Sequence, residues 1–344
     1  MSFGLTLTKS CWVMLPVYLV ALACQAGMPD EPIKPLPPIM IESPARVALG
    51  RQLFHDARLS NNNKVSCSSC HDLNKGGADG RDRAVGINGK LTSMNAPSVF
   101  NAALNFKQFW NGGADSLEAQ IDTVVRNPTE MGSNWTEVLA KLQQDAGYRK
   151  DFAAAYGDGL NQANVRNAIA SFERTLLTPD SRFDRYLRGD AAALSDAEKQ
   201  GYAKFKQYGC VSCHQGVNVG GNMFQKFGIM FDYFGKRGHV TSADLGRYRI
   251  TGLEEDRYVF KVPSLRNVAL TAPYFHDASA KTLEDAVGVM FKYQLGRRAT
   301  EEDKQAIVKF LGTLTGQWPG QSKAEARGQS LGQFTAQAQR RAQP

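Results

Sequence analysis

The chain has 344 residues, a formal net charge of +8 at pH 7 and 42% hydrophobic residues. This length allows two domains that each bury a core of their own. Lysine and arginine are scattered rather than clustered, and no nucleic-acid-binding motif is found. The charge therefore predicts a solvated surface of mixed sign and excludes a nucleic-acid partner.

The first 24 residues are predicted to be a targeting segment. Their apolar stretch, Cys11 to Ala23, is too short for a good membrane-spanning helix. Ala21-Leu22-Ala23 fits a signal-peptidase site, the following Cys24 allows a lipoprotein anchor, and an uncleaved anchor is the third alternative. All three predict export to the periplasm, and the last two predict a membrane tether at the N-terminus.

Two further terminal segments are expected to lie outside the core. Residues 25–42 include the proline-rich stretch from Met28 to Pro38, which predicts an extended tether. Residues 321–344, rich in glutamine, alanine and arginine, predict a loose tail.

Two short motifs carry the strongest chemical signal. VSCSSCH ends at His71 and GCVSCH ends at His214, so the pattern Cys-x-x-Cys-His occurs twice. Two disulfides are the usual use of four cysteines in an exported chain, and zinc is another, but neither requires a histidine directly after each pair. The motifs predict two covalently attached c-type haems, with the histidines as iron ligands. The four attachment residues are Cys67, Cys70, Cys210 and Cys213.

Capping signals predict helices with long loops between them. Ser43-Pro44 predicts a helix that runs to Phe54, and Ser195 opens a capping box before a helix towards Gly209. A further box at Thr300 precedes an apolar face. That face consists of Ile307, Phe310, Leu311 and Leu314. No long alternating strand pattern is found, so a mainly α protein is predicted.

An internal repeat divides the chain into two halves. APSVFNAALNFKQFWNG (Ala96–Gly112) aligns with VPSLRNVALTAPYFHDA (Val262–Ala278) at an offset of 166 residues, whereas the two haem motifs are offset by 143. The second half therefore has about 23 extra residues (166 − 143), which we assign to Phe224–Tyr258. The repeat predicts two haem domains of common plan, joined near Thr178 to Asp190.

Differences between the halves indicate different roles for the two haems. A saturated iron transfers electrons, and an iron with a vacant sixth site can bind peroxide. Met290 is predicted to fill that site in the second half, in competition with Met223 and Met230. The first half offers Met94 at best. The histidines outside the motifs are His55, His239 and His276.

The first half has no counterpart of Met290, but it contains polar side chains that could act on peroxide. A carboxylate such as Glu130 over an open haem can move a proton between the oxygens of peroxide, and an amide such as Gln120 can hold the distal oxygen. From composition alone, Glu130 is better explained as a surface acid in a turn.

From Ser43 to Gly316 the sequence resembles the bacterial di-haem cytochrome c peroxidases. The resemblance rests on LGRQLFHDARLS, CSSCHDLNKGGADG, NAPSVFNAALNFKQFWNG, NPTEMG, TPDSRFDRYLRGD, GCVSCHQGVNVGG and VPSLRNVALTAPYFHDA. It implies a mainly α fold of two cytochrome c-like haem domains with long loops, which we place at residues 43–180 and 181–320. The first would be peroxidatic and the second would transfer electrons.

The resemblance also implies roles for individual residues. Glu130 and Gln120 would be catalytic, and Trp110 would conduct electrons between the haems. Met290 would be the second axial ligand of the electron-transfer haem. One calcium ion would be bound by the Asn95 side chain and by the carbonyl groups of Thr271 and Pro273. The reaction would be reduction of hydrogen peroxide to water with electrons from a small redox protein, a cytochrome c or a cupredoxin, in a chain that often forms homodimers.

Two departures from the family pattern affect this assignment. Ile87 stands where typical members have a histidine that caps the peroxidatic iron at rest, and Met94 replaces a typical arginine. We therefore expect an iron at His71 that is five-coordinate or water-bound at rest. Because a MauG-like oxidase that modifies a partner protein also lacks the capping histidine and uses a tyrosine ligand, Tyr293 keeps that alternative open. A non-enzymatic di-haem electron carrier is the other alternative.

Overall fold

The computed structural model describes Met1 and residues 31–320. The predicted leader with Cys24, the start of the predicted tether and the predicted tail from residue 321 lie outside the described residues. No helix in the described part of the chain is both long enough and apolar enough to span a membrane.

The described chain is mostly helical, as predicted, and its short helices are joined by long loops. The helices are α1 Pro44–Phe54, α2 Leu117–Arg126, α3 Trp135–Gln143, α4 Ala146–Ala155, α5 Gln162–Glu173, α6 Arg182–Leu187, α7 Asp196–Gln207, α8 Tyr233–Arg237, α9 Tyr248–Thr251, α10 Leu283–Val289 and α11 Glu301–Gly312. A π-helical turn, Met290–Gln294, continues α10. Two three-residue strands, β1 Phe224–Lys226 and β2 Val259–Lys261, pair antiparallel.

The predicted helix starts are confirmed. The Ser43 side chain accepts a hydrogen bond from Arg46 N–H at the start of α1, and Pro44 occupies the first turn. Ser195 and Glu198 form the reciprocal capping box of α7. Thr300 caps α11 by accepting from Asp303 N–H, but the reciprocal bond of the predicted capping box is not formed there. The four predicted apolar residues of that helix region are at most 3% exposed.

Two helix pairs cross at the same type of contact. At Gly50 in α1, a Cβ atom would lie 1.9 Å from the carbonyl oxygen of Ala168 in α5. At Gly201 in α7, a Cβ atom would lie 2.0 Å from the carbonyl oxygen of Ala306 in α11. Both positions therefore require glycine, because any side chain would push the helices apart. The two halves share this crossing.

The repeated motif has the same backbone conformation in both copies. Asn101 and Asn267 adopt φ of 60° and 59°, and Phe109 and Phe275 adopt φ of 67° and 71°. The Nδ2 atoms of Asn101 and Asn267 both donate to Thr178 Oγ1, each at 2.9 Å. The predicted junction therefore begins with a buried residue that holds the two motifs together.

The described part of the predicted tether contributes to the core, so the expectation that it lies outside is wrong there. Ile33 is fully buried in the apolar cluster of the second half, and Leu36 is 4% exposed. Leu36 N–H donates to Asp184 Oδ1 (3.1 Å), and the same carboxylate pairs with Arg266 (2.7 Å). Proline content predicts extended backbone, but it contains no information about these distant partners.

The last described residues, in contrast, pack against the first half. Trp318 lies near the end of the predicted second domain, yet its ring packs against Phe100 and Phe172 of the first half, with centroid separations of 6.3 Å. Each half is thus completed by a segment from the far end of the chain. The domain boundary near residue 180 stays a prediction.

We predict that Gly50→Ala destabilises the holo-protein by about 1–3 kcal/mol, because the added methyl group meets Ala168 backbone at the α1–α5 crossing. The matched control is Gly312→Ala in α11, where a Cβ would meet nothing within 4 Å and the reduced backbone entropy of the unfolded chain favours folding. Urea unfolding followed by circular dichroism measures both. Equal midpoints for Gly50→Ala and the parent protein would contradict the close-packed crossing.

Candidate active site

Both Cys-x-x-Cys-His motifs form a turn that directs the histidine inward. Short 3-10 turns span Cys67–Ser69 and Cys210–Ser212. His71 Nδ1 lies 3.2 Å from the carbonyl oxygen of Gly77, and His214 Nδ1 lies 3.3 Å from that of Val219. A carbonyl only accepts, so each Nδ1 carries the proton and Nε2 is left to ligate a metal.

The chemical state of these residues fits haem attachment. The four motif cysteines are free thiols. Burial lowers the pKa of both motif imidazoles, that of His214 to about 4. They are therefore neutral at pH 7, which is the form that binds iron.

Each motif opens into a cavity large enough for a bulky group. The cavity of the first half measures about 400 Å³ and contains Cys67, Cys70 and His71 in its wall. The cavity of the second half measures about 250 Å³ and contains Cys210, Cys213 and His214. The two share a wall, and the common residues include Ala96, Pro97, Trp110, Lys261 and Pro263.

Glu130 and Gln120 both line the first cavity. Glu130 Oε2 is buried and has no hydrogen-bond partner among the described residues. Burial raises the pKa of the Glu130 carboxyl to about 7, against an opposing hydrogen bond from Asn127. The group is thus near half-ionised at neutral pH, as required of a residue that accepts and returns a proton. The structure does not support the interpretation, drawn from composition, of Glu130 as a surface acid in a turn.

The turn that carries Glu130 is fixed from two sides. Glu130 N–H and Gly132 N–H both donate to the carbonyl oxygen of Asn127, at 3.0 and 2.8 Å. Ile87 N–H donates to the Glu130 carbonyl oxygen at 2.9 Å. The Ile87 side chain is 6% exposed and occupies the space beside Gly132, where a Cβ would meet Ile87 Cδ1 at 2.2 Å. Ile87 therefore packs behind the turn that carries Glu130, and it is not among the residues that line either cavity.

Met290 lines the second cavity, whereas the competing candidates do not. Met230 is 56% exposed, Met223 lies outside the lining, and Tyr293 packs on Tyr233 with ring centroids 5.1 Å apart. Met290 begins the π-helical turn, a distortion that is frequent at functional sites. Met94 lines the first cavity, where the sequence offered it as the best available ligand.

Trp110 lies in the wall between the two cavities. Its Nε1–H donates to the carbonyl oxygen of Asn95 at 2.9 Å. Its repeat partner His276 lies edge-on to it, with ring centroids 6.5 Å apart, and bonds through Nε2 to Asp244 Oδ1 at 2.7 Å. The position fits a conductor between two redox centres. His55 and His239 line neither cavity.

The three predicted calcium ligands lie in the wall of one cavity. Asn95, Thr271 and Pro273 all line the second cavity. Asn95 Nδ2 donates to the carbonyl oxygen of Arg81 at 2.7 Å, which leaves its Oδ1 as the ligand atom. The calcium site itself stays a prediction.

Two cavity residues escaped the sequence analysis. Lys261 lines both cavities and is 7% exposed, and it forms no salt bridge within residues 31–320. Burial lowers the pKa of its ammonium group to about 8. Glu173 lines the first cavity with an unpartnered carboxylate oxygen. The repeat offset could have indicated Lys261, because it aligns with Asn95 (261 − 166 = 95).

A buried cation without a carboxylate partner is costly in a protein interior. A cofactor that carries carboxylates, such as haem, would complete the ion pair at Lys261. Together with the free thiols and the oriented imidazoles, this requirement shows that the residues present fit a haem in each cavity.

Comparison with known proteins identifies the family of this chain. A family model described as di-haem cytochrome c peroxidase matches residues 44–192. The cytochrome c peroxidase Ccp of Escherichia coli is 45% identical over 83% of this chain, which spans 62% of that protein's length. The cytochrome c551 peroxidase of Nitrosomonas europaea is 42% identical over 91% of this chain and 92% of its own length.

Among solved structures, a MauG-like protein associated with microbial copper homeostasis superposes with a TM-score of 0.71 at 32% identity. The match covers 84% of this chain and 95% of that protein. The helical fold, the two cavities at Cys-x-x-Cys-His motifs and these matches lead to one conclusion: the chain belongs to the di-haem cytochrome c peroxidase family.

Proposed function

We propose that this protein reduces hydrogen peroxide to water in its first cavity, with electrons that a small periplasmic redox protein delivers to the second. The observation that carries the proposal is the Glu130 carboxyl group, whose buried Oε2 atom has no hydrogen-bond partner among the described residues, in the cavity that contains His71. The donor would be a cytochrome c or a cupredoxin. Relatives named as cytochrome c peroxidases at 42–45% identity support it.

Two cytochrome c-like haem domains would carry out this reaction. Cys67 and Cys70 would hold one haem c through thioether bonds, with His71 as its iron ligand. Cys210 and Cys213 would hold the other, with His214 and Met290 on its two faces. Bound haem iron would supply the redox chemistry with peroxide and with the donor.

Glu130 would transfer a proton between the two oxygens of peroxide. Its carboxylate would accept the proton of one peroxide oxygen, and the resulting acid would return it to the other, distal oxygen, which would leave as water. Gln120, on α2 in the same wall, would donate an amide hydrogen bond to the distal oxygen. The Glu130 carboxyl is largely buried, so its interaction with peroxide would operate in a low dielectric.

Trp110 and Lys261 would connect the two cavities. Trp110 has a ring contact with His276 and a hydrogen bond to Asn95, so its orientation is fixed. The Lys261 ammonium would pair with cofactor carboxylates. A calcium ion bound by Asn95, Thr271 and Pro273 would stabilise the same shared wall.

One observation weighs against the MauG-like alternative. Met290 lines the second cavity, and Tyr293, the ligand type expected for a MauG-like oxidase, packs on Tyr233 instead. Export to the periplasm, lipid attachment at Cys24 and homodimer formation stay predictions of the sequence.

Glu130→Gln is expected to lower kcat/KM for peroxide by about 10²–10⁴-fold, the usual contribution of a positioned acid–base group. Burial raises the pKa of this carboxyl to about 7. In the parent protein, kcat/KM should therefore rise with pH through about 7, as the base form accumulates, and this limb should vanish in the variant. Peroxide-dependent oxidation of a reduced cytochrome c measures both.

The matched control is Glu137→Gln on α3, a surface acid that lines neither cavity. It should leave the pH profile unchanged. Full activity of Glu130→Gln with two haems attached would remove Glu130 from the mechanism.

The resting ferric protein is expected to contain one high-spin and one low-spin haem. Ile87 packs beside Gly132 and offers no ligand atom, so the iron at His71 would be five-coordinate or water-bound without reductive priming. EPR spectroscopy of the protein as isolated counts the spin states. Two low-spin signals would contradict the vacant site.

Met290→Ala is expected to convert the low-spin haem to a high-spin one, because it removes the sixth ligand. Tyr293→Phe is the matched control, and it should leave the visible and EPR spectra unchanged. The opposite pattern, with a spectral change only in Tyr293→Phe, would assign the ligand to the tyrosine and favour the MauG-like alternative.

A further inference from the structure

Glu173 is a second buried acid in the first cavity, and none of the roles described above uses it. It is the last residue of α5 and is 6% exposed. It lines the cavity that contains His71 and Glu130. Its Oε2 atom is buried and has no hydrogen-bond partner within the described ranges. An unpartnered buried carboxyl is costly, and at a cavity wall it marks a group that acts on the cavity contents.

The other half of the molecule shows that the fold does not require an acid here. The crossing of α5 on Gly50 matches the crossing of α11 on Gly201, and the methylene groups of Phe172 and Phe310 approach these glycines in the same way. The residue after each phenylalanine is Glu173 in the first half and Leu311 in the second. Leu311 lines the second cavity. An apolar side chain therefore satisfies this position, and the carboxyl is particular to the first cavity.

A charged pair at the surface, Glu118 and Arg174, interacts electrostatically with Glu173. Glu118 on α2 accepts hydrogen bonds from Arg174 at 2.9 and 3.1 Å. The Glu118 side chain is 26% exposed and the Arg174 side chain 44% exposed. Glu118 interacts electrostatically with Glu173, so a partly exposed acid lies within electrostatic range of the buried one.

The electrostatic surroundings keep Glu173 protonated at neutral pH. Burial raises the pKa of its carboxyl to about 8, Glu118 contributes in the same direction, and Arg174 opposes them. The Cys67 thiol also interacts with Glu173, but burial raises its pKa and keeps it uncharged, and a thioether bond would remove the ionisable group altogether. Within the described ranges, no other charged group shifts the pKa of Glu173.

We propose that Glu173 exchanges protons between the first cavity and the surface pair Glu118–Arg174 as the charge of the cavity contents changes. Reduction of H₂O₂ consumes two electrons and two protons and yields two H₂O. Glu130 only moves a proton from one peroxide oxygen to the other, so the two protons consumed must enter from solvent. Glu173 accepts a proton from the surface side and releases one to the cavity. The inference rests on the proposed function for the identity of the cavity contents as haem.

The test measures the reduction potential of the first haem against pH, in the absence of peroxide. Reduction adds one negative charge beside Glu173 and favours its protonated form. In the parent protein the reduction equilibrium constant should therefore fall as pH rises above the pKa of Glu173, by up to about tenfold per pH unit, which is about 59 mV for one electron. Spectroelectrochemical titration of the holo-protein provides these values. Because Glu130 also titrates in this cavity, the series is repeated in Glu130→Gln.

Three variants and one control complete the design. Glu173→Gln keeps the shape and should abolish the decrease above the pKa of Glu173, and Glu173→Leu, which copies the side chain of Leu311, should do the same. Glu118→Gln removes a charge that raises the pKa of Glu173, so the decrease should begin at lower pH. Glu301→Gln, a 73%-exposed acid on α11, changes the net charge equally and should have no effect.

An unchanged pH dependence in a Glu173 variant that retains two haems would overturn the proposal. If both Glu173 variants lose haem, Glu118→Gln decides, and an unshifted curve overturns it. These readings need no peroxidase activity. A protein that shows the expected potentials but does not reduce peroxide would therefore refute the proposed function and leave the proton exchange standing.

Discussion

The arrangement of both cavities depends on the buried hydroxyl oxygen of Thr178, which accepts hydrogen bonds from Asn101 and Asn267. All three residues are at most 2% exposed, so each bond is made away from water and leaving it unmade would be costly. The bonds fix the two copies of the repeated motif against one another. Residues of these same motifs then form the wall common to both cavities. One buried residue thus joins the two motifs that contribute to the shared cavity wall.

The two halves share a scaffold, and besides the extra segment assigned to Phe224–Tyr258 they differ in single side chains at equivalent positions. Trp110 in the first half corresponds to His276 in the second, Asn95 corresponds to Lys261, and Glu173 corresponds to Leu311 by helix register. Substitutions of this kind leave the helix crossings untouched. They change charge, hydrogen bonding and aromatic contact at the cavity walls, and our proposal that the first half reduces peroxide while the second transfers electrons rests on these differences.

Three ionisable groups at these walls are buried without a full set of partners: Glu130, Glu173 and Lys261. Each destabilises the folded chain relative to an apolar residue of similar size. Such groups are retained in proteins where their perturbed ionisation serves a reaction. The low polarity of the cavities keeps both acids near or above half-protonation at neutral pH, and it leaves the lysine dependent on an external anion.

The sequence by itself determined the local features of this protein. The haem motifs, the caps at Ser43, Ser195 and Thr300, and the apolar face of α11 depend on residues a few positions apart, so their spacing in the chain specifies them. The repeat was also visible, because it is a property of the sequence. Composition favoured a surface turn for Glu130, and the resemblance to a family, rather than any local pattern, indicated an active site.

Only the tertiary structure decided which side chains share an environment. Ile33 and Trp318 lie near opposite ends of the described chain, and each packs against the half that is more distant in sequence. Glu173 ends an ordinary amphipathic helix, and Lys261 ends a short strand. Their importance follows from burial beside a cavity, and burial depends on how α1, α5 and the shared wall pack together. Local propensity contains no information about that packing, because the contacts join residues that are far apart in sequence.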